Sequence, residues 1–213
     1  YRPWELKKTE TIDVMDALGS NIRADYRGSE VMRVLPRVNE GINEEWLSDK
    51  SRYVVDGLTA RRLDRPWIRE NGKLRAASWN EALDAVAAKL KAAPADRIGV
   101  IAGDLQDAES MKATLDLFRA LGSNNTDCRQ DGAAVGPDSK GGGPREGWLF
   151  NSGLEGIEKA DAVLIVGANP RTEAPLLNAR LRKAWLKGDM EIGLIGEQAD
   201  LTFDYAYLGA GTQ

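Results

Sequence analysis

Apolar runs and amphipathic stretches alternate through the second half of the chain, and that alternation narrows the fold more than any other feature. The core Ile98-Gly99-Val100-Ile101, within 97–102, reads as a buried strand, as do 162–166 and 191–195. The stretch 108–121 sets Met111, Leu115, Phe118 and Leu121 on one helical face, and 174–186 reads as a further helix. Short apolar runs alternating with helical periodicity imply a parallel sheet with right-handed crossovers, so the predicted class is α/β.

Ahead of this region the signals are more local. Asn21 to Asp25 and Glu30 to Leu35 alternate partially around Tyr26-Arg27-Gly28-Ser29, which predicts a β-hairpin with Gly28 at the turn and Ser20 at the strand entry. Trp46, Leu47, Tyr53, Val54 and Leu58 recur at near-helical spacing, predicting one or two short helices over 43–58 with Ser48 on the first turns. The polar, basic stretch 59–75 reads as a linker with turn signals at Pro66 and Asn71-Gly72. Ser78 followed by Glu81 is a capping box, and Trp79, Leu83, Val86, Ala87 and Leu90 continue it as an amphipathic helix ending before Pro94.

Composition removes whole mechanisms. The 213 residues contain no histidine and one cysteine, Cys128, so triads based on histidine, zincin sites, internal disulfides and multi-cysteine metal sites are unavailable within the chain. An apolar content of 42% beside 29% charged residues describes a chain that folds. The net charge of -4 gives no reason to expect nucleic acid, and Arg61, Arg62 and Arg65 read as exposed charges near a linker. The longest wholly apolar stretch, Ala162 to Ala168, falls far short of the ~20 residues that span a bilayer, so no direct membrane insertion is expected. The opening Tyr1-Arg2-Pro3-Trp4 is no signal segment, and a start without Met suggests a fragment.

The most site-like feature is the strand end Val166-Gly167-Ala168-Asn169-Pro170, where an open α/β sheet gathers ligands. Gly167 permits close backbone approach, and Asn169 can either hydrogen-bond a nucleotide edge or hold an ordinary Asn-Pro turn. The stretch 124–153, with Gly141-Gly142-Gly143-Pro144 inside it, is a long loop but not a phosphate loop. The six tryptophans are scattered as packing residues are; Cys128 has a cation beside it in Arg129, yet a lone cysteine in a chain without histidine reads as inert.

Several long blocks resemble one family. They are Arg2-Pro3-Trp4-Glu5-Leu6, the run Lys8 to Ile22, Val31-Met32-Arg33-Val34-Leu35-Pro36-Arg37, Asn43-Glu44-Glu45-Trp46-Leu47-Ser48-Asp49-Lys50, and Gly167 to Arg180. Together they look like the large iron-sulfur subunit of proton-pumping NADH:quinone oxidoreductase, respiratory complex I, within the molybdopterin oxidoreductase superfamily. The resemblance implies two parts: a small β-hairpin and helix module over 1–58, and over 59–213 the start of a parallel-sheet molybdopterin-oxidoreductase-like domain.

In relatives of that module a 4Fe-4S cluster is held by C-x2-C-x3-C and a distant fourth cysteine. Laid on this chain, the pattern falls on Asp13, Asp16, Ser20 and Ser48, oxygen donors where iron needs soft thiolates. The resemblance therefore implies vestigial cluster positions there, a vestigial nucleotide turn at Gly167 and Asn169, no catalytic or metal-binding residue, and no cofactor in this chain. It further implies 2Fe-2S and 4Fe-4S clusters held by a cysteine-rich region preceding Tyr1, with other peripheral-arm subunits as partners. The expected function is a non-catalytic scaffold, on the cytoplasmic face of a bacterial plasma membrane or the matrix face of the mitochondrial inner membrane. The Gly-rich stretch 136–147 leans to the bacterial source. A true molybdopterin-dinucleotide-binding oxidoreductase is the alternative, whereas a nicotinamide-dependent dehydrogenase lacks its glycine fingerprint.

Overall fold

A computed structural model describes residues 2–103, 105–128, 150–188 and 190–211. In chain order its elements are β1 (Lys7–Ile12), β2 (Asn21–Arg27), β3 (Glu30–Pro36), α1 (Asp49–Tyr53), β4 (Trp67–Glu70), β5 (Lys73–Ala76), α2 (Trp79–Ala92), β6 (Gly99–Ile101), α3 (Ala108–Ala120), β7 (Asn125–Asp127), α4 (Gly153–Ile157), β8 (Ala162–Val166), α5 (Pro170–Glu173), α6 (Pro175–Leu186), β9 (Glu191–Ile195) and β10 (Ala206–Gly209). They fall into two compact units: Tyr1–Ala60 with Phe150–Gln213, and Arg61–Leu149.

In the first unit the antiparallel sheet runs β1-β2-β3. The predicted hairpin is present, with Gly28 at φ 62 in its turn, a left-handed conformation that suits glycine. Ile22, Val34 and Leu47 form its small core. Of the one or two short helices predicted over 43–58, two are present: α1, which Ser48 caps, and a 3-10 turn over 54–58.

The same unit contains the parallel sheet β10-β9-β8. In β9, Ile192 and Leu194 point into a core that also holds Ile165, Leu181, Leu201 and Phe203. Pro175 at the first position of α6 suits a helix start, because that amide has no partner inside the helix anyway. The parallel α/β character expected from the apolar runs is therefore present.

In the second unit, Ser78 caps α2 as its spacing predicted, accepting the Glu81 amide at 3.2 Å. The Trp79, Leu83 and Val86 stripe stays more than half exposed, so here the periodicity formed a helix without burying it. Parallel β6 and β7 are pinned by Ser123, whose hydroxyl donates to the Ile98 carbonyl at 2.6 Å. The linker expected over 59–75 is corrected in its second half: β4 and β5 form a hairpin around Asn71-Gly72, at φ 50 and 79, the two-residue turn those types favour. The Gly-rich stretch 136–147 lies outside the described residues.

Candidate functional site

Residues 13–20 form the connection between β1 and β2, and Ser48 is the N-cap of α1. The register of β1 on β2 brings the two ends of that connection together. The Asp13 amide donates to the Ser20 carbonyl at 2.8 Å, and Asp13, Ser20 and Ser48 are all buried. Ser51, one turn into α1, completes the arrangement. Its amide donates to Ser48 Oγ at 3.3 Å, the two hydroxyls lie 2.9 Å apart, and Ser51 Oγ donates to Asp13 Oδ2. Asp13 Oδ1 takes the Met15 amide at 3.1 Å.

Asp16 belongs to the same loop but is partnered differently. Its Oδ1 accepts the Leu18 amide at 3.1 Å, while Oδ2 is buried without a hydrogen-bond partner among the described residues. The nearest countercharge is Lys50, 4.0 Å away. Three of the four predicted positions are thus joined by hydrogen bonds either directly or through Ser51, and Asp16 is reached through Lys50.

Ser51 and Lys50 were not singled out from the sequence. An i, i+3 pairing of Ser51 with the Ser48 cap was the available signal, but a hydroxyl on a helix's first turn is too common to stand out.

The donor set does not fit an iron-sulfur cluster. All four positions offer hard oxygens, and those of Asp13 and Ser48 already hold each other's neighbourhood through Ser51. Among the described residues there is also no group of three or more His, Cys, Asp or Glu side chains arranged to hold a metal ion.

The second predicted position is the turn after β8. The Gly167 amide donates to the Ile195 carbonyl at 2.8 Å, so the β8 and β9 ends lie side by side. A Cβ at Gly196 would stand 3.3 Å from the Gly167 backbone, and Gly167 itself holds a left-handed φ of 61, which suits glycine. Asn169 caps the four-residue α5: its Oδ1 accepts the Arg171 amide at 3.1 Å, and its own amide donates to Glu173 Oε1 at 2.7 Å.

A cavity of about 250 Å3 adjoins this turn, lined by Gly167, Asn169, Glu173 and Glu197. Two turn amides are already occupied and two carboxylates line the space, so the lining repels a pyrophosphate rather than holding one. Asp200, beyond β9, is held below the ordinary carboxylate range by the Thr202 amide and by Arg171, whose Nη1 lies 2.6 Å from its Oδ2. A dinucleotide does not fit this turn. A larger cavity of about 370 Å3 runs along β8 past Phe150, Leu164, Val166 and Leu177, and it carries no charged side chain.

A parallel α/β sheet with a glycine strand-end turn thus accompanies a hairpin module whose 13–20 loop meets the capped start of α1. The chain belongs to the molybdopterin oxidoreductase family, whose model matches residues 62–213.

The narrower match is to respiratory subunits. A model described as NADH-ubiquinone oxidoreductase NDSU1/NuoG-like, 4Fe-4S domain, matches residues 6–56. The chain is 51% identical to the mitochondrial NADH-ubiquinone oxidoreductase 78 kDa subunit of Candida albicans, over 98% of the chain and 29% of that protein. The corresponding Neurospora crassa subunit is 49% identical over 98% of the chain and 28% of its own length. The mitochondrial NADH dehydrogenase [ubiquinone] iron-sulfur protein 1 of Solanum tuberosum is 47% identical over all of the chain and 28% of its own length. The chain thus spans less than a third of the curated relatives it matches.

Proposed function

We propose that this chain is a scaffold segment of the electron-transferring peripheral-arm subunit of proton-pumping NADH:quinone oxidoreductase, and that it is not itself catalytic. The observation that carries this reading is about 50% identity sustained over essentially the whole chain to the 78 kDa subunits. Its division into a 1–58 module and a 59–213 domain is supported by family matches that break between residues 56 and 62.

Within the segment, Asp13, Asp16, Ser20 and Ser48 are vestigial cluster positions, and Gly167 with Asn169 is a vestigial nucleotide turn. Oxygen donors tied into a serine-aspartate network support the first assignment, and the acidic lining beside Asn169 supports the second. Electrons in the parent subunit pass through 2Fe-2S and 4Fe-4S clusters held by other parts of that subunit, and neighbouring peripheral-arm subunits are the partners. The mitochondrial relatives favour the matrix face of the inner membrane over the bacterial alternative. Among the described residues no helix is long and apolar enough to cross a membrane, which agrees with a peripheral position.

The test is assembly. Removing residues 1–213 from the parent subunit is expected to abolish the assembled peripheral arm on native electrophoresis. A normally assembled and active arm without the segment would contradict the reading.

A further inference from the structure

Lys50 sits on the first turn of α1, between the predicted position Ser48 and the network serine Ser51. Its side chain reaches across more than a hundred residues of sequence. Nζ donates to the Glu173 carbonyl at 2.7 Å and the Thr172 carbonyl at 3.4 Å, the last two carbonyls of α5. Carbonyls at a helix C-terminus have no partner within the helix, and a cation there both satisfies them and complements the dipole.

The same ammonium faces Asp16. That side chain is 1% exposed, and its Oδ2 lies 4.0 Å from Lys50 Nζ with no hydrogen-bond partner among the described residues. A buried carboxylate without a countercharge is strongly unfavourable, so Asp16 needs Lys50 where it stands. On the other side, Glu173 accepts the Asn169 amide, so the α5 backbone that Lys50 holds is continuous with the glycine turn.

We propose that Lys50 is a positioning residue, an internal latch that fixes the strand-end turn 167–173 to the loop 13–20. One ammonium serves both segments, so displacing either one strands a buried carboxylate or two helix-end carbonyls. The latch keeps both segments in one arrangement, as a scaffold surface requires. The inference rests on these contacts and stands whether or not the parent-complex reading holds.

Hydrogen exchange in the full chain tests it. Lys50→Met is expected to speed exchange at the Thr172, Glu173, Ala174 and Asn178 amides at least about tenfold relative to those of β9. Lys50→Arg retains the charge and donors and is expected to restore most of that protection. Adding Asp16→Asn to Lys50→Met removes the stranded charge and is expected to recover part of the lost stability. Uniform acceleration across the unit, or no rescue by either second change, would overturn the latch. Should Lys50→Met fail to fold, recovery of folded protein by Asp16→Asn supports the proposal, and continued failure ends it.

Discussion

Replacing Arg180 with Met is expected to destabilise the unit formed by 1–60 and 150–213 by about 3 kcal/mol, the lower end of what breaking a buried ion pair costs. The Arg180 side chain, on α6, is 6% exposed and uses its whole fork. Nη1 pairs with Glu158 at 2.7 Å, Nη2 donates to the Glu40 carbonyl at 2.6 Å, and Nε donates to the Ile42 carbonyl at 3.2 Å. Removing it takes the donor from two backbone carbonyls and one charge partner from Glu158.

The low end applies because Glu158 keeps Lys183 at 3.0 Å and Lys187 at 3.6 Å. Burial pushes the Glu158 pKa up, but Lys183, Arg180 and Lys187 together hold it below the ordinary range. With a denaturant dependence of about 2 kcal/mol per molar urea, the midpoint is expected to fall by about 1.5 M. Arg180→Lys is expected to rescue little, since an ammonium cannot serve three acceptors spread over a planar fork. A midpoint within error of the wild type would contradict this account of how the 40–42 turn is held on α6.

The second large effect concerns Asp25, whose side chain is 0% exposed at the middle of β2. Arg23 Nε lies 2.8 Å from one carboxylate oxygen, and Arg33, directly opposite on β3, lies 2.8 Å from the other. Burial alone raises the pKa of this carboxyl, yet hydrogen bonds and charge from both arginines outweigh it, leaving the pKa below the ordinary 3.8. Changing both arginines to Met strands the buried carboxylate and is expected to cost about 3–5 kcal/mol.

The pH dependence follows from the direction of that shift. A carboxyl with a depressed folded pKa contributes stability that is fully present above the unfolded value, near 3.9, and is lost as pH falls through the folded value. Wild type is therefore expected to exceed Asp25→Asn in urea midpoint at pH 7, with the gap closing below about pH 4. A gap that stays constant down to pH 2 would show that the shift contributes nothing.

Both predictions involve residues that sequence patterns do not reveal. Asp25 and Arg180 lie within segments predicted correctly as strand and helix, but their partners depend on hairpin register and on contacts about 140 residues apart. Elements with strong local physics were legible: β8 and β9 as apolar runs, the Gly28 hairpin, and the Ser78 cap. β1 was not, because Lys7 to Ile12 are all exposed and give no apolar alternation. β4 and β5 were hidden by their polar composition, although their Asn71-Gly72 turn was visible. The positions Asp13, Asp16, Ser20 and Ser48 came from a family resemblance, and spacing alone does not show that Ser51 and Lys50 connect them.

The proposed role makes this segment a frame without a cofactor of its own. The most direct measurement is the iron, acid-labile sulfide, molybdenum and guanine nucleotide content of anaerobically purified protein, taken with its visible spectrum. The account predicts a colourless protein with none of these above trace. Stoichiometric iron and sulfide would contradict the oxygen-donor reading of Asp13, Asp16, Ser20 and Ser48, and stoichiometric molybdenum or nucleotide would contradict the reading of the Gly167–Asn169 turn.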